Sequence, residues 1–172
     1  MTEDPADALP AGEQAAGANL GWSLGMVLRA WQEEVGDVLH GMPGSSRGYH
    51  VLSAVAHGGP QRQKALAERL AIDRTVLVYL IDDLVEAGLV ERRLDPQDRR
   101  ARRIVATERG RRVLAEAETR VSAAEERILD GISPADQAAF HRIATRAATK
   151  IRETSPGTDP CVAARSVLDT PA

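Results

Sequence analysis

The spacing of apolar residues changes near Gly88, and this change constrains the fold more than any other feature of the sequence. Over residues 61–88, apolar residues recur every three or four positions, which is typical of helices that bury one face. Beyond Gly88, the runs LVERRL and RRIVAT are typical of short β-strands, and the turn-like segment DPQDRRA separates them. The pattern predicts two helices followed by a two-stranded hairpin.

The two predicted helices have the lengths and the connection of a helix-turn-helix. We expect the first over residues 61–70 and the second from Asp73 to about Gly88. Aspartate caps a helix by accepting hydrogen bonds from free backbone amides, and glycine suits a left-handed helix end. A short helix, a tight turn and a longer helix form a helix-turn-helix, and the hairpin after it is a wing. The predicted fold class is mainly α with a small β-hairpin wing.

Further helices are predicted on both sides of this unit. Helical spacing predicts one over residues 19–39, and Ser45 or Ser46 can cap another. A long helix is expected from about residue 108 to 129, and Ser133 with Pro134 begins a last helix. Apolar residues in the long helix are spaced 3, 4, 3, 4, a seam that requires a partner surface. The seam consists of Leu114, Ala117, Val121, Ala124 and Ile128.

Positive charge is concentrated in the predicted wing. The whole chain has a net charge of -3, but residues 91–112 contain nine arginines against four acidic residues, a local charge of +5. Such asymmetry is typical of a surface that meets a polyanion, because salt screens distant charges while the local field acts at contact. An arginine-rich face that contacts only solvent is the alternative that charge alone leaves open.

The second helix of a winged helix-turn-helix enters the major groove of DNA, where its first residues contact base edges. Arginine can pair with guanine through two hydrogen bonds, and threonine or valine can contact a thymine methyl group. We expect wing arginines to enter a narrow minor groove and Asp98 to orient one of them, Arg100. The predicted DNA contacts are Arg62, Gln63, Lys64, Arg74, Thr75, Val78, Tyr79, Arg92, Arg99, Arg100 and Arg102.

Signals for other chemistry are weak. The sequence has no nucleophile elbow, no phosphate-binding glycine loop and no Ser/His/Asp pattern. No cysteine and no close pair of acidic residues joins His40, His50 and His57 to complete a zinc site. The lone Cys161 has no internal disulfide partner. We therefore expect no enzyme activity, no catalytic residues, no metal and no cofactor.

The N-terminal residues do not have the pattern of a signal peptide. The acidic N-terminus lacks the basic start and apolar run of a signal peptide, and no stretch approaches the ~18 apolar residues of a membrane span. We expect a cytoplasmic protein without a membrane partner. Residues 1–18 and 153–172 are expected to be flexible tails.

Residues 66–110, LAERLAIDRTVLVYLIDDLVEAGLVERRLDPQDRRARRIVATERG, resemble the MarR (multiple antibiotic resistance regulator) family of bacterial transcription factors. The Asp-Pro-x-Asp-Arg-Arg wing and the order of the flanking helices extend the resemblance over residues 20–152. The Asp-x-Arg pattern of the family wing corresponds to Asp98 and Arg100. The chain departs from many relatives at Tyr79, where they carry arginine.

The resemblance implies a winged helix-turn-helix domain over residues 19–152, with a DNA-binding lobe at about 46–110 and dimerisation helices at about 19–40 and 108–152. It implies a homodimer on a pseudo-palindromic operator of double-stranded DNA, with half-sites one helical turn apart. Most members repress, and many release DNA when a small, often aromatic ligand binds between the dimerisation helices and the lobe. Here Trp22, Trp31 and His50 are the candidate ligand contacts. The expected dimer contacts are Leu20, Leu24, Leu114, Ala117, Val121, Ile128, Phe140 and Ile143.

Winged helices can also bind proteins. A protein-interaction module without sequence-specific DNA binding is therefore the alternative, although the +5 wing favours a DNA groove.

Overall fold

The computed structural model describes residues 19–154, which form a mainly helical fold with one small sheet. The predicted tails and Cys161 lie outside the described residues, apart from residues 153 and 154, which end the last helix. In chain order the elements are α1 (Leu20–Val38), α2 (Ser45–His57), β1 (Gln61–Arg62), α3 (Gln63–Leu70), α4 (Arg74–Glu86), β2 (Val90–Asp95), β3 (Asp98–Ala106), α5 (Glu108–Ile128) and α6 (Pro134–Thr154).

Side-chain caps set the starts of several helices, as the sequence indicated. The Asp73 carboxylate accepts from the backbone amides of Thr75 and Val76 at 2.8 and 3.1 Å, which confirms the predicted cap of α4. The Ser133 hydroxyl accepts from the amide of Asp136 at 3.2 Å at the start of α6. These bonds satisfy amides that have no partner inside the helix.

The start of α2 differs from the prediction. Its first helical residue is Ser45, and the capping position belongs to Gly44, which has a φ of +71° and makes no side-chain cap bond. The chain turns sharply after Pro43, and glycine adopts the left-handed conformation of that turn without steric cost.

The wing contains three strands, whereas the sequence predicted two. Strand β1 pairs with β3, and β3 pairs with β2, both antiparallel, so the order is β1-β3-β2. Residues 61 and 62, predicted to begin a helix, instead extend along the free edge of β3, which satisfies their backbone groups. The hairpin turn is confined to Pro96 and Gln97, so residues 98–101, predicted as turn, belong to β3.

One core joins the helix-turn-helix to the wing and to the long helix. Its members are large aliphatic side chains that project from every layer of the lobe, which ties the orientation of α4 to that of the sheet. Completely buried members include Leu52, Leu66, Leu77, Ile81, Leu84, Ile104 and Leu114.

The apolar seam of α5 is buried within a single chain. Leu114, Ala117, Val121 and Ala124 belong to the same buried cluster as Val35 of α1, against which α5 packs. The partner surface that the 3, 4, 3, 4 spacing requires is therefore supplied by helices of the same chain, mainly α1 together with α2. The assignment of Leu114, Ala117 and Val121 to a contact between chains was wrong, because the spacing reports that a seam is covered but not which chain covers it.

Other predicted dimer contacts remain uncovered. Leu20 and Leu24 of α1 are exposed, and so are Phe140 and Ile143 of α6, while Ile128 is half-buried. No residue of α6 is buried. None of the helices in residues 19–154 has both the length and the apolar character that a membrane crossing requires.

Gly110 allows the wing to meet the long helix closely. It lies in the first turn of α5, where the Thr107 hydroxyl accepts its amide proton at 2.9 Å. A Cβ on Gly110 would lie 2.0 Å from the Leu89 carbonyl oxygen and 3.2 Å from a Leu52 methyl group. The first contact is with backbone, so it cannot be relieved by rotation of a side chain.

We expect Gly110→Ala to lower the free energy of unfolding by roughly 1–3 kcal/mol, the usual cost of forcing extra volume into a packed site. Gly36→Ala in α1 is the matched control, since its Cβ would meet nothing within 4 Å. That change should raise stability by roughly 0.5–1 kcal/mol, because glycine is a poor residue for a helix interior. Urea unfolding at one fixed protein concentration measures both. Equal stabilities for the two variants would contradict the close approach at Leu89.

Candidate nucleic-acid interface

The first turns of α4 present an exposed face beside the wing. Arg74, Thr75, Val78 and Tyr79 are exposed, and the side chain of Arg74 is 70% accessible. The opposite face is buried through a set of aliphatic residues: Leu77, Leu80, Ile81 and Leu84. The helix is thus held by one face, and the four predicted DNA contacts lie on its accessible face.

The Asp73 cap also has an electrostatic consequence. The amides of Val76 and Thr75 hold the pKa of the Asp73 carboxyl below its usual range. The charged carboxylate is therefore the stable form at the start of α4, where it also interacts favourably with the helix dipole. This cap keeps the first turn of α4 ordered, and that turn carries Arg74 and Thr75.

Helix α3 contributes polar residues at its start. Lys64 is exposed and lies 4.0 Å from Glu68, and the same carboxylate lies 3.6 Å from Arg74. Gln63 is half-buried. Exposed pairs of this length contribute little to stability, so both cations can turn toward a stronger anion such as phosphate.

A buried carboxylate organises the wing. Asp95 is 1% exposed, and among the side chains that the structure describes it is the only charged one that is buried. Its Oδ2 accepts from Nε of Arg62 at 2.6 Å, and its Oδ1 lies 2.9 Å from a terminal nitrogen of Arg103. The amide of Gln97 donates to Oδ1 at 2.9 Å. Asp95 therefore ties β1, β2 and β3 together.

Strand register explains why a carboxylate is needed there. Arg103 is directly opposite Arg62 on one side and Arg93 on the other. Directly opposed residues project from the same face of a sheet, and like charges in that position repel. Asp95 neutralises part of this row, and Glu91 pairs with Arg93. The hydrogen bond from Gln97 and the charges of the two guanidinium groups lower the pKa of Asp95 to about 2.

The predicted pairing of Asp98 with the Arg100 guanidinium is not present. Asp98 Oδ1 instead accepts from the backbone amide of Arg100 at 3.1 Å, and its Oδ2 lies 3.7 Å from Arg62. The bond that Asp98 makes two residues along the chain is local and shapes the exit of the hairpin turn. The carboxylate that orients wing guanidinium groups is Asp95, which the sequence analysis treated only as the start of a turn.

Two other predicted DNA contacts are engaged inside the protein. Arg62 lies in β1, not at a helix start, and its Nε is held by Asp95. The guanidinium of Arg92 pairs with Asp82 of α4. Both side chains keep part of their surface accessible, but their first role is to fix the wing against neighbouring elements.

Arg102 lies on the side of the sheet that faces α4. Arg92 is opposite Ile104, and Arg102 is opposite Leu94. Because side chains alternate along a strand, Arg102 shares the face of Ile104 and therefore of Arg92, which reaches α4. Arg100 lies beyond a shift in the strand register between Leu94 and Asp95, and both Arg100 and Arg102 are exposed. Arg99 belongs to β3, but its side chain lies outside what the structure describes.

Asp95 and Arg103 are the site residues that the sequence analysis missed. Alternation along β3 places Arg103 on the opposite face from Arg102, and Arg103 was not among the predicted DNA contacts. The role of Asp95 depends on β1, because Arg62 approaches it only when residues 61 and 62 add a strand to the sheet.

The structure separates the three predicted ligand contacts. Trp31 is half-buried and lines a cavity of about 190 Å³ between α1, α5 and α6. Trp22 is exposed, and His50 lies on α2 with its ring 5.6 Å from that of Tyr49. Neither Trp22 nor His50 lines this cavity. Residues 19–154 contain no group of three His, Cys, Asp or Glu residues arranged to hold a metal ion.

We expect Asp95→Asn to lower the melting temperature at pH 7, because the amide cannot neutralise Arg62 and Arg103. The folded carboxyl has a pKa below its unfolded value of about 3.9, so its stabilisation is complete above about pH 5 and is lost as the pH falls through 4 toward 2. The difference between wild type and variant should therefore shrink over that interval. Thermal unfolding at pH 7, 4 and 3 measures it.

Asp98→Asn is the control for this series, since Asp98 is partly exposed and its nearest guanidinium lies 3.7 Å away. It should change the melting temperature much less at every pH. A pH-independent difference between wild type and Asp95→Asn would show that the charge of Asp95 does not stabilise the wing.

Comparison with known proteins places this geometry in a family. The family model described as "MarR family" matches residues 40–101. A crystal structure of MarR has 20% sequence identity and a TM-score of 0.69, over 79% of this chain and 92% of that chain. The transcriptional regulator SlyA has 23% identity and a TM-score of 0.66, over 79% and 96%.

A third similar structure is a transcriptional regulator of the MarR family from Rhodococcus sp. RHA1. It has 30% identity and a TM-score of 0.56, over 86% of this chain and 96% of that chain. The structures of MarR and SlyA show the shared fold. The Rhodococcus regulator is also similar in sequence, over nearly the whole length of that regulator. The chain belongs to the MarR family of transcriptional regulators, whose winged helix-turn-helix it contains.

Proposed function

We propose that this protein is a sequence-specific regulator that binds a pseudo-palindromic operator as a homodimer and represses nearby genes until a small molecule releases it. The observation that carries the proposal is the exposed face formed by α4 and the wing. Arg74, Thr75, Val78 and Tyr79 are exposed on α4, and Arg100 and Arg102 are exposed on β3. Helix α4 packs against β2, and the buried side of these elements belongs to one core.

The two parts of this face suit different features of DNA. The start of α4 can enter the major groove, where Arg74 can form two hydrogen bonds to guanine and Thr75 and Val78 can contact thymine methyl groups. The exposed wing arginines suit phosphates or a narrow minor groove, where negative potential is high. Base contacts then determine sequence preference, and wing contacts supply affinity that depends on salt.

The dimer is supported by apolar side chains that this chain leaves exposed. Leu20, Trp22, Leu24 and Met26 are exposed on α1, and Phe140, Ile143 and Ile151 on α6. Monomeric soluble proteins rarely leave large contiguous apolar surface exposed. Twofold pairing of α1 and α6 would cover these residues, and it would place the two α4 helices of the dimer on one duplex.

We expect Arg74→Ala to weaken binding to the wild-type chain's preferred duplex by roughly 1–3 kcal/mol and to relax base preference, the usual effect of losing a bidentate base contact. Arg100→Ala should weaken binding to preferred and unselected duplexes alike and reduce the salt dependence of both. Fluorescence anisotropy at several salt concentrations distinguishes the two effects. Arg120→Ala, on the exposed surface of α5, is the matched control and should bind as wild type does.

If Arg74→Ala lost the same affinity for preferred and unselected duplexes, Arg74 would contact phosphate and not bases. If neither variant differed from Arg120→Ala, the α4 and wing face would not be the DNA surface. A chain that bound no duplex would favour the protein-interaction module.

We expect Ile143→Glu to convert the dimer to a monomer, because a carboxylate placed in an apolar contact loses its hydration without gaining a partner. Ala138→Glu lies on the opposite side of α6 and is the matched control. Sedimentation velocity over a range of protein concentrations measures the change. A wild-type chain that sedimented as a monomer at micromolar concentration, or equal behaviour of the two variants, would contradict the proposed interface.

A further inference from the structure

A small cavity lies where α1, α5 and α6 meet, away from the α4 and wing face. Its volume is about 190 Å³, room for about six water molecules at roughly 30 Å³ each. The walls are mainly apolar or aromatic and include the rings of Trp31 and Phe140. The other lining residues are Val27, Glu125, Ile128, Leu129 and His141.

The charge of this cavity is negative. Glu125 is its carboxylate, and the lining contains neither arginine nor lysine. The indole N–H of Trp31 donates to Glu125 Oε1 at 3.0 Å, which holds the carboxylate against the aromatic wall. Glu125 is half-buried, and carboxylates in such positions normally have a counter-ion. His141 is the other titratable residue that lines the cavity.

A second carboxylate strengthens the negative potential on this side of α5. Glu118 lies two turns before Glu125, on the same face of the helix, and lies 2.7 Å from the ring of His57. The pKa of the Tyr49 hydroxyl is raised first by burial and further by the charges of Glu118 and Glu125. Both carboxylates therefore lie on the side of α5 that faces the neighbouring helices.

We propose that the cavity binds a small organic cation, a protonated or quaternary amine on an apolar body. Tryptophan offers the strongest aromatic face for a cation, and a carboxylate beside the ring adds charge complementarity. An aromatic carboxylate or a phenolate of the same size would meet Glu125 with like charge. The family resemblance suggested a small, often aromatic ligand, and the cavity adds the requirement of a positive charge.

The link between this cavity and gene regulation rests on the proposed function. The walls come from the helices that the proposal assigns to the dimer, so a bound cation would change the free energy of that pairing. Coupling between ligand and DNA must be reciprocal: if the cation weakens operator binding, the operator weakens cation binding by the same factor. Cation binding itself is measured on protein without DNA.

Three probes of similar size separate charge from shape: benzylamine, which is protonated at pH 7, neutral benzyl alcohol and anionic benzoate. Each is titrated into the full chain labelled with ¹⁵N-tryptophan, and the indole N–H signal of Trp31 is followed by NMR. The chain has two tryptophans, so Trp22→Phe assigns the signals. We expect benzylamine to shift the Trp31 signal saturably, benzyl alcohol to require a roughly tenfold higher concentration, and benzoate to have no effect.

Glu125→Gln removes the charge and retains an oxygen that can accept from Trp31. It should weaken benzylamine binding roughly tenfold and leave benzyl alcohol binding within about twofold. Glu126→Gln, exposed on the next position of α5, is the matched control and should bind all three probes as wild type does. If Glu125→Gln did not fold, the charge series on wild type alone would decide.

Similar affinities for the three probes, or unchanged benzylamine binding by Glu125→Gln, would overturn the proposal. So would the absence of any saturable shift, which would indicate a gap that a second copy of the chain fills. DNA binding separates this failure from that of the regulator: operator binding without cation binding would reject only the cation site. Cation binding without operator binding would reject only the regulator.

Discussion

The buried carboxylate of Asp95 holds the wing in the form on which the candidate interface depends. The sheet brings Arg62, Arg103 and Arg93 side by side, an arrangement that like-charge repulsion would open without a counter-ion. Asp95 contacts two of these guanidinium groups and the Gln97 amide, so its own burial is compensated. Because β1 leads directly into α3, the same contact fixes the sheet against the helix-turn-helix.

This arrangement divides the wing arginines into two groups. Arg62 and Arg103 surround Asp95, and Arg92 pairs with Asp82 of α4, so these three set the position of the sheet. Arg100 and Arg102 lie exposed on β3. The concentration of positive charge in the sequence is therefore partly structural.

Local patterns in the sequence predicted most of the fold. Three features depend on residues close together in the chain, so the sequence predicts them: the Asp73 cap, the start of α6 at Ser133 and the change of period after Gly88. Strand β1 has two residues, too few to show any period, and its pairing with β3 spans about 40 positions. The same long-range contact brings Arg62 to Asp95, so sequence spacing favoured Asp98 as the orienting carboxylate instead. Four of the five residues of the α5 seam are buried and Ile128 is half-buried, but periodicity could not identify helices of the same chain as their cover.

The most direct test of sequence-specific regulation is selection of bound duplexes from a random DNA pool at about 150 mM salt, where non-specific phosphate contacts are weak. An inverted repeat with half-sites one helical turn apart, roughly 34 Å, is the predicted result, because two α4 helices related by a twofold axis would read it. Enrichment of no sequence, with binding that falls uniformly as salt rises, would contradict it. The α4 and wing face would then hold phosphate only, and the chain would not choose its own operator.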